Sequence, residues 1–243
     1  MFAGPNGSGK SLLKSYLPNE LLGVYLNPDE IELEIRRQGF LDFVAYGVTT
    51  TADEALSFFN GSSFLISSGF ADAAKRLAFA NDRLDFAKVE VNSYFASVAC
   101  DFLRQKLLEQ RISFTFETVM SHPNKVALLE QAQRAGYRTY LYFIATDDPE
   151  INISRVRNRV KLGGHSVPED RITPRYHRSL DLLMDAIRHS NRAYVFDNSG
   201  DNQDKAQTWL AEITDGRVLE LKSDRIPAWF KRAVLDKIKP LPA

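Results

Sequence analysis

Short apolar and aromatic runs recur along the chain, separated by stretches in which apolar positions return every three to four residues. The runs at about 24–27 (VYLN), 112–117 (ISFTFE), 138–145 (RTYLYFIA) and 193–197 (AYVFD) are rich in aromatic and β-branched residues and predict strands. Strands alternating with helices predict a parallel α/β sheet. One helix is expected to begin at Ser8 or Gly9 and run to about Tyr16, ended by Pro18. A long helix near 85–110 puts Val91, Phe95, Val98 and Phe102 on one stripe, and another at about 124–135 stops at Gly136. Asp148-Pro149 and Thr173-Pro174 read as cap and first-turn pairs, opening helices that reach about Leu162 and Ser190. Residues 40–84 mix Gly, Ser and Thr with aromatics and fit the alternation poorly. Together with the long helix they predict a mostly helical insertion at about 40–110, either a packing excursion or a contributor to an acceptor pocket. The tail from about 217 predicts an edge strand (RVLEL) and a last helix around Trp229.

At 243 residues, 44% hydrophobic and 26% charged, the chain suits a single domain spanning 1–243 with an inserted subdomain. Lys plus Arg equals Asp plus Glu at 31 each, so overall charge offers no case for a nucleic-acid partner. The distribution is uneven. Residues 1–60 hold four basic and eight acidic side chains, whereas 155–192 hold nine basic, four acidic and three of the four histidines, His165, His177 and His189. Such a region suits a phosphate ligand or a solvated helical face. Cys100, the one cysteine, sits among apolar helical positions and reads as a buried thiol. No apolar run approaches the roughly 18 residues of a membrane helix, and no signal peptide precedes the first motif. A cytoplasmic protein without membrane association is the expectation.

That motif is "AGPNGSGKSLL" at 3–13, with the full spacing of a phosphate-binding loop: Gly4, four residues, then Gly9, Lys10 and Ser11. The glycines let successive N–H groups turn inward as a nest for the β-phosphate, and the helix that follows points its positive end at the same place. Lys10 is expected to bridge the β and γ phosphates and Ser11 to offer its hydroxyl to Mg²⁺. The loop predicts ATP contacts from Gly4, Pro5, Asn6, Gly7, Ser8, Gly9, Lys10, Ser11 and Leu12. Only three residues precede it, too few to cross a sheet at about 3.3 Å each, which suggests that the natural chain begins further upstream.

Switch GTPases need Asn-Lys-x-Asp, but Asn124-Lys125 is followed by Val126-Ala127. Transporter-type ATPases need a Leu-Ser-Gly-Gly signature, which is absent. The small-kinase plan remains: an acceptor carboxylate, an acceptor pocket and arginines that meet the transferring phosphate. Asp29 follows the strand at 24–27, where the carboxyl ends of parallel strands open into the ligand crevice, and reads as general base, as a cap for the next helix, or as both. Glu117 and Thr118 end the strand at 112–117 and read as acceptor contacts. Residues 149–178 read as a lid. Arg155 and Arg159 share a helix face, Gly163-Gly164 forms a hinge, and Arg175 and Arg178 follow, whereas Arg157 projects toward solvent.

These stretches, with "LNPDEIE", "FETVMS" and "GGHSVPEDRITPRYHRSL", resemble the zeta-toxin-like family of phosphate-loop kinases over about 1–35 and 112–200. The resemblance implies a kinase-type P-loop NTPase fold of three layers around a five-stranded parallel sheet. It implies an ATP- and Mg²⁺-dependent kinase that phosphorylates a hydroxyl of a small molecule, such as the nucleotide sugar UDP-N-acetylglucosamine, and a small antitoxin protein as partner. Residue by residue it implies Lys10 and Ser11 at the nucleotide, Asp29 as base and Glu117 and Thr118 at the acceptor. Arg159 and Arg175 then meet the transferring phosphate, with Arg155 and Arg171 on the nucleotide. Family members with sugar substrates carry an arginine just after the acidic strand end, where this chain has Met120 and Ser121. An ATP-driven conformational switch without an acceptor and a polynucleotide 5′-hydroxyl kinase are the other readings.

Overall fold

The computed structural model describes residues 1–164, 167–200 and 207–238. The chain opens with β1 (Phe2–Ala3), the glycine-rich loop and α1 (Lys10–Leu13), extended by a 3-10 turn at Lys14–Tyr16. There follow α2 (Asn19–Leu22), β2 (Val24–Leu26), α3 (Pro28–Gln38), β3 (Phe40–Asp42), α4 (Ala52–Asn60), α5 (Ser63–Ser67) and α6 (Ala71–Ala74). β4 (Ala78–Ala80), β5 (Arg83–Asp85), α7 (Ser93–Glu109), β6 (Phe114–Thr118), α8 (Asn124–Arg134) and β7 (Tyr140–Ala145) come next. The chain continues with α9 (Pro149–Lys161), α10 (Glu169–Asp181), α11 (Leu183–Arg188), β8 (Arg192–Asp197), β9 (Thr208–Thr214), β10 (Val218–Leu221) and α12 (Ala228–Ala233). Two compact units divide it: Met1–Leu17 with Glu117–Ala243, and Pro18–Phe116.

In the first unit β1 lies between β6 and β7 and is parallel to both, Phe2 facing Glu117 on one side and Tyr142 on the other. The pairing reaches Met1, whose carbonyl accepts from the Tyr142 N–H at 2.9 Å and whose amine donates to the Tyr140 carbonyl at 2.7 Å. β7 and β8 run parallel from Tyr140–Arg192 to Ala145–Asp197, and β9 and β10 add two antiparallel strands beyond β8. Leu141, Phe143, Ala193 and Val195 are fully buried, and Trp229 of α12 lies 6.1 Å from the Phe143 ring. Within the second unit β2 is parallel to the first half of β6. Every expected parallel strand is therefore present. The two antiparallel strands extend the five-stranded expectation, and of them β10 had been anticipated.

α10 begins four residues before the expected Thr173-Pro174 start and contains Pro174. An interior proline costs a helix on the order of 3 kcal/mol. Here Ile172 packs with Ile153 and Val156 in a buried cluster, and Glu169 pairs with Arg157, so both ends of the early turn are held. Arg157 is exposed as expected, but it ties α10 to α9. His165, counted above in the basic segment, lies outside the described residues.

The second unit is built on aromatics. Phe43, Phe58 and Phe59 gather around Phe102 of α7, with ring centroids 5.1 to 6.3 Å apart. Burying one such ring contributes roughly 1.5–3 kcal/mol, so these three aromatics of 40–84 are accounted for by packing, whereas Phe64 is exposed. The segment expected to be mostly helical also holds a three-stranded antiparallel sheet, β3-β5-β4. α7 begins after the Asn92 cap, later than the expected position 85, and Cys100 is buried on it.

Candidate nucleotide-binding site

The loop from Gly4 to Ser11 leaves the C-terminal end of β1, where the carboxyl ends of β6 and β7 also finish. Its glycines take left-handed angles, φ 147° at Gly4, 74° at Gly7 and 97° at Gly9. At Gly4 a Cβ would stand 2.0 Å from the Ile144 carbonyl oxygen, so no other residue fits between β1 and β7. The Gly4 N–H donates to the Thr118 carbonyl at 3.3 Å, which joins the loop to the end of β6.

A nest of inward N–H groups leaves its carbonyls pointing out, and buried carbonyls need donors. Lys10 Nζ donates to the carbonyls of Gly4 and Pro5, both at 2.9 Å. Asn152 of α9 donates to Asn6 O at 2.5 Å, and Asn198, just past β8, donates to Ser8 O at 2.8 Å. Among the described residues four buried side-chain polar atoms lack a hydrogen-bond partner. Two of them, Asn6 Oδ1 and Ser8 Oγ, belong to the loop, and a third, Asp147 Oδ1, follows β7.

Behind these contacts lies a buried polar layer. The Thr146 hydroxyl donates to Asn152 Oδ1, and Tyr176 of α10 donates to the Thr146 carbonyl at 2.6 Å. Burial, with Asp147 adding to it, raises the Tyr176 phenol far above its ordinary range and keeps it a donor. Asp197 accepts from the Trp229 indole at 2.8 Å and the Ser199 hydroxyl at 2.6 Å. Arg155 donates to the Asn198 and Gly200 carbonyls at 2.8 and 2.9 Å, so its guanidinium fixes the turn that carries Asn198.

Of the residues expected at the site, the loop positions through Leu12, the half-buried Arg155 and the buried Glu117 and Thr118 stand on these connected elements. Arg159 is exposed at the end of α9, and on α10 Arg171 is exposed and Arg175 partly buried. Asp29 belongs to the other unit, exposed in the first turn of α3. It is not the helix cap: Asn27 is, accepting from the Asp29 N–H at 2.9 Å, with Pro28 in the first turn. Where an arginine was looked for after the acidic strand end, Met120 is fully buried at φ 53°. Sequence reasoning did not single out Asn152, Thr146, Tyr176 or Asn198. The available signal was a polar residue, Asn152, in the buried stripe of α9 with Ile153 and Val156.

The Zeta toxin family model matches residues 81–214, more than half of the chain. The chain belongs to the Zeta toxin family. The match takes in β6, α9, α10 and β8 and begins after the loop. Over 69 residues the chain is 33% identical to an uncharacterized protein of Haemophilus influenzae, covering 28% of this chain and 49% of that one. Its fold resembles that of the native AvrRxo1-ORF1:-ORF2 complex (TM-score 0.52, 14% identity, 96% of this chain and 62% of that chain). It also resembles the same pair crystallised with ATP (TM-score 0.50, 15% identity, 91% and 60%). At such identities the likeness concerns fold alone. The chain spans about half the length of the curated relative and under two thirds of these solved chains. Among the described residues no helix is long and apolar enough to cross a membrane.

Proposed function

We propose that this Zeta toxin family member is an ATP- and Mg²⁺-dependent kinase of the toxin type that transfers the γ-phosphoryl group to a hydroxyl of a small metabolite. The observation that carries the reading is the glycine-rich loop at the end of β1, whose Gly4, Pro5, Asn6 and Ser8 carbonyls are each held by a side chain, from Lys10 within the loop and from Asn152 and Asn198 outside it. The ATP in a crystal of a similarly folded chain supports the choice of nucleotide.

Mg²⁺ commonly keeps one or two protein ligands and takes the rest from phosphates and water. Ser11, exposed in the first turn of α1, would supply one such protein ligand. When bound, the ion would offset negative charge on the phosphate oxygens. Lys10 moves its ammonium from the carbonyls of Gly4 and Pro5 to the same oxygens, and Arg159 and Arg175 oppose the charge that develops on transfer. Arg155 and Arg171 serve the nucleotide. Asp29 takes the acceptor proton; its assignment rests on the family resemblance and its place after β2. Glu117 and Thr118 hold the acceptor.

A nucleotide sugar such as UDP-N-acetylglucosamine is the first acceptor to test, and a small antitoxin protein the first partner. Incubation with γ-labelled ATP and a panel of nucleotide sugars, dinucleotides and free nucleosides should yield one labelled acceptor. Phosphate release with every acceptor unlabelled would favour the ATP-driven switch, and label on oligonucleotide 5′ ends the polynucleotide kinase.

A further inference from the structure

We infer that Asn152 and Asn198 are positioning residues that set the shape of the phosphate loop for the β-phosphate, an inference that rests on the nucleotide reading above. A loop can present its N–H groups to an anion only while its carbonyls are turned away, and each of these two side chains holds one carbonyl in that orientation. The amide of Asn152 can face only one way, because its oxygen in place of its nitrogen would set two acceptors against each other at Asn6 O. The Thr146 hydroxyl secures that orientation by donating to Asn152 Oδ1, and Asn152 is fully buried. Asn198 is pinned through its backbone: its N–H donates to Ala145 O at 2.8 Å while its carbonyl accepts from Arg155.

The glycines of the loop make room for both clamps. A Cβ on Gly7 would stand 2.6 Å from the Asn152 carbonyl oxygen, and one on Gly9 would stand 2.5 Å from Asn198 Nδ2. The motif spacing thus serves close approach by two side-chain-bearing elements as well as the left-handed turns. On the Asn152 side the support extends to α10 through Tyr176, the neighbour of Arg175. The helix expected to respond to the transferring phosphate is thereby joined by three hydrogen bonds to the loop that holds it.

The test uses the full chain and calorimetric titration with ATP and with AMP, which lacks the β-phosphate. Asn198→Ala and Asn152→Ala should each raise the Kd for ATP about tenfold, the scale of one lost buried hydrogen bond, and leave the Kd for AMP within about twofold. Asn198→Gln, which keeps an amide donor, should recover part of the ATP affinity. Equal losses for ATP and AMP, or unchanged ATP binding, would overturn the inference. If Asn152→Ala does not fold, the half-exposed position 198 decides through its Ala and Gln variants. A parent protein that binds neither nucleotide would remove the nucleotide reading, and this inference with it.

Discussion

Lys10 is committed twice over: its ammonium bonds the Gly4 and Pro5 carbonyls at 2.9 Å, and the proposed chemistry needs it at the phosphates. The exchange is favourable because a phosphate oxygen carries full negative charge, whereas the carbonyls that the ammonium leaves offer only dipoles. Lys10→Ala should therefore cost ATP affinity at least about a hundredfold, the scale of a lost charged contact near 3 kcal/mol. Parent-like binding by calorimetry would sink the loop assignment. Asp29 gives the sharper contrast. Since Asn27 caps α3, Asp29→Asn removes only an exposed first-turn carboxylate, worth about 0.3–1 kcal/mol against the helix dipole. Phosphoryl transfer should fall by about 10²–10⁴ if the carboxylate is the base. A variant that transfers like the parent returns the role to Glu117, and Glu117→Gln then carries the loss. The loop, Asp29 and Glu117 could be read from motif and strand position. Asn152 and Asn198 could not, because a carbonyl's need for a donor is visible only once the loop has its shape.

Elements were legible where one periodicity ruled. The strands at 24–26, 140–145 and 192–197 lie within a residue or two of their expected bounds because dense runs of aromatic and β-branched residues mark them. β9 was missed for a physical reason. The register skips between Val195 and Phe196, so Leu210 is the extra residue, and Leu210 and Ala211 are both buried; alternation fails there. α10 was misplaced because Pro174 looks like a first-turn residue while Ile172 and Glu169 outweigh it. The α9–α10 pair carries the third prediction. Arg159→Ala and Arg175→Ala should depress kcat by about 10-fold or more with the Kd for ATP little changed, since they oppose charge that develops during transfer. Steady-state kinetics with both values unaltered would leave these arginines no catalytic part. β1 carries a fourth. In a polypeptide that starts at Met1, burial lowers the α-amine from 8.0 to about 5. The unfolded chain then binds the proton first as pH falls, so stability is complete above about pH 8 and declines toward pH 5, by at most about 1.4 kcal/mol per unit. N-terminal acetylation, or any residue ahead of Met1, should flatten that part of a urea-melt pH series; an unchanged slope refutes the assignment.

At the scale of the whole molecule, charge follows the division into units. The eight acidic residues of the first sixty all fall between Glu20 and Glu54, in the second unit, while Lys10, Lys14 and the basic stretch 155–192 belong to the first. A balanced total of 31 against 31 concealed that separation, and with it the reason a polyanion would choose one unit. All loop contacts described for the nucleotide also lie in the first unit, so ATP should stabilise that unit directly. At a hundred times its Kd a ligand confined to the native state adds about 2.7 kcal/mol. For a chain of this length each kcal/mol moves Tm by about 2–4 °C, so ATP with Mg²⁺ should raise the transition by about 5–10 °C. If calorimetry resolves two transitions, the one containing the first unit should move. The same titration on Lys10→Ala should move Tm by at most about 1–2 °C, because a hundredfold weaker Kd leaves the ligand near half-saturation. A parent protein whose melting ignores ATP at millimolar concentration would show that the loop, for all its geometry, does not hold the nucleotide.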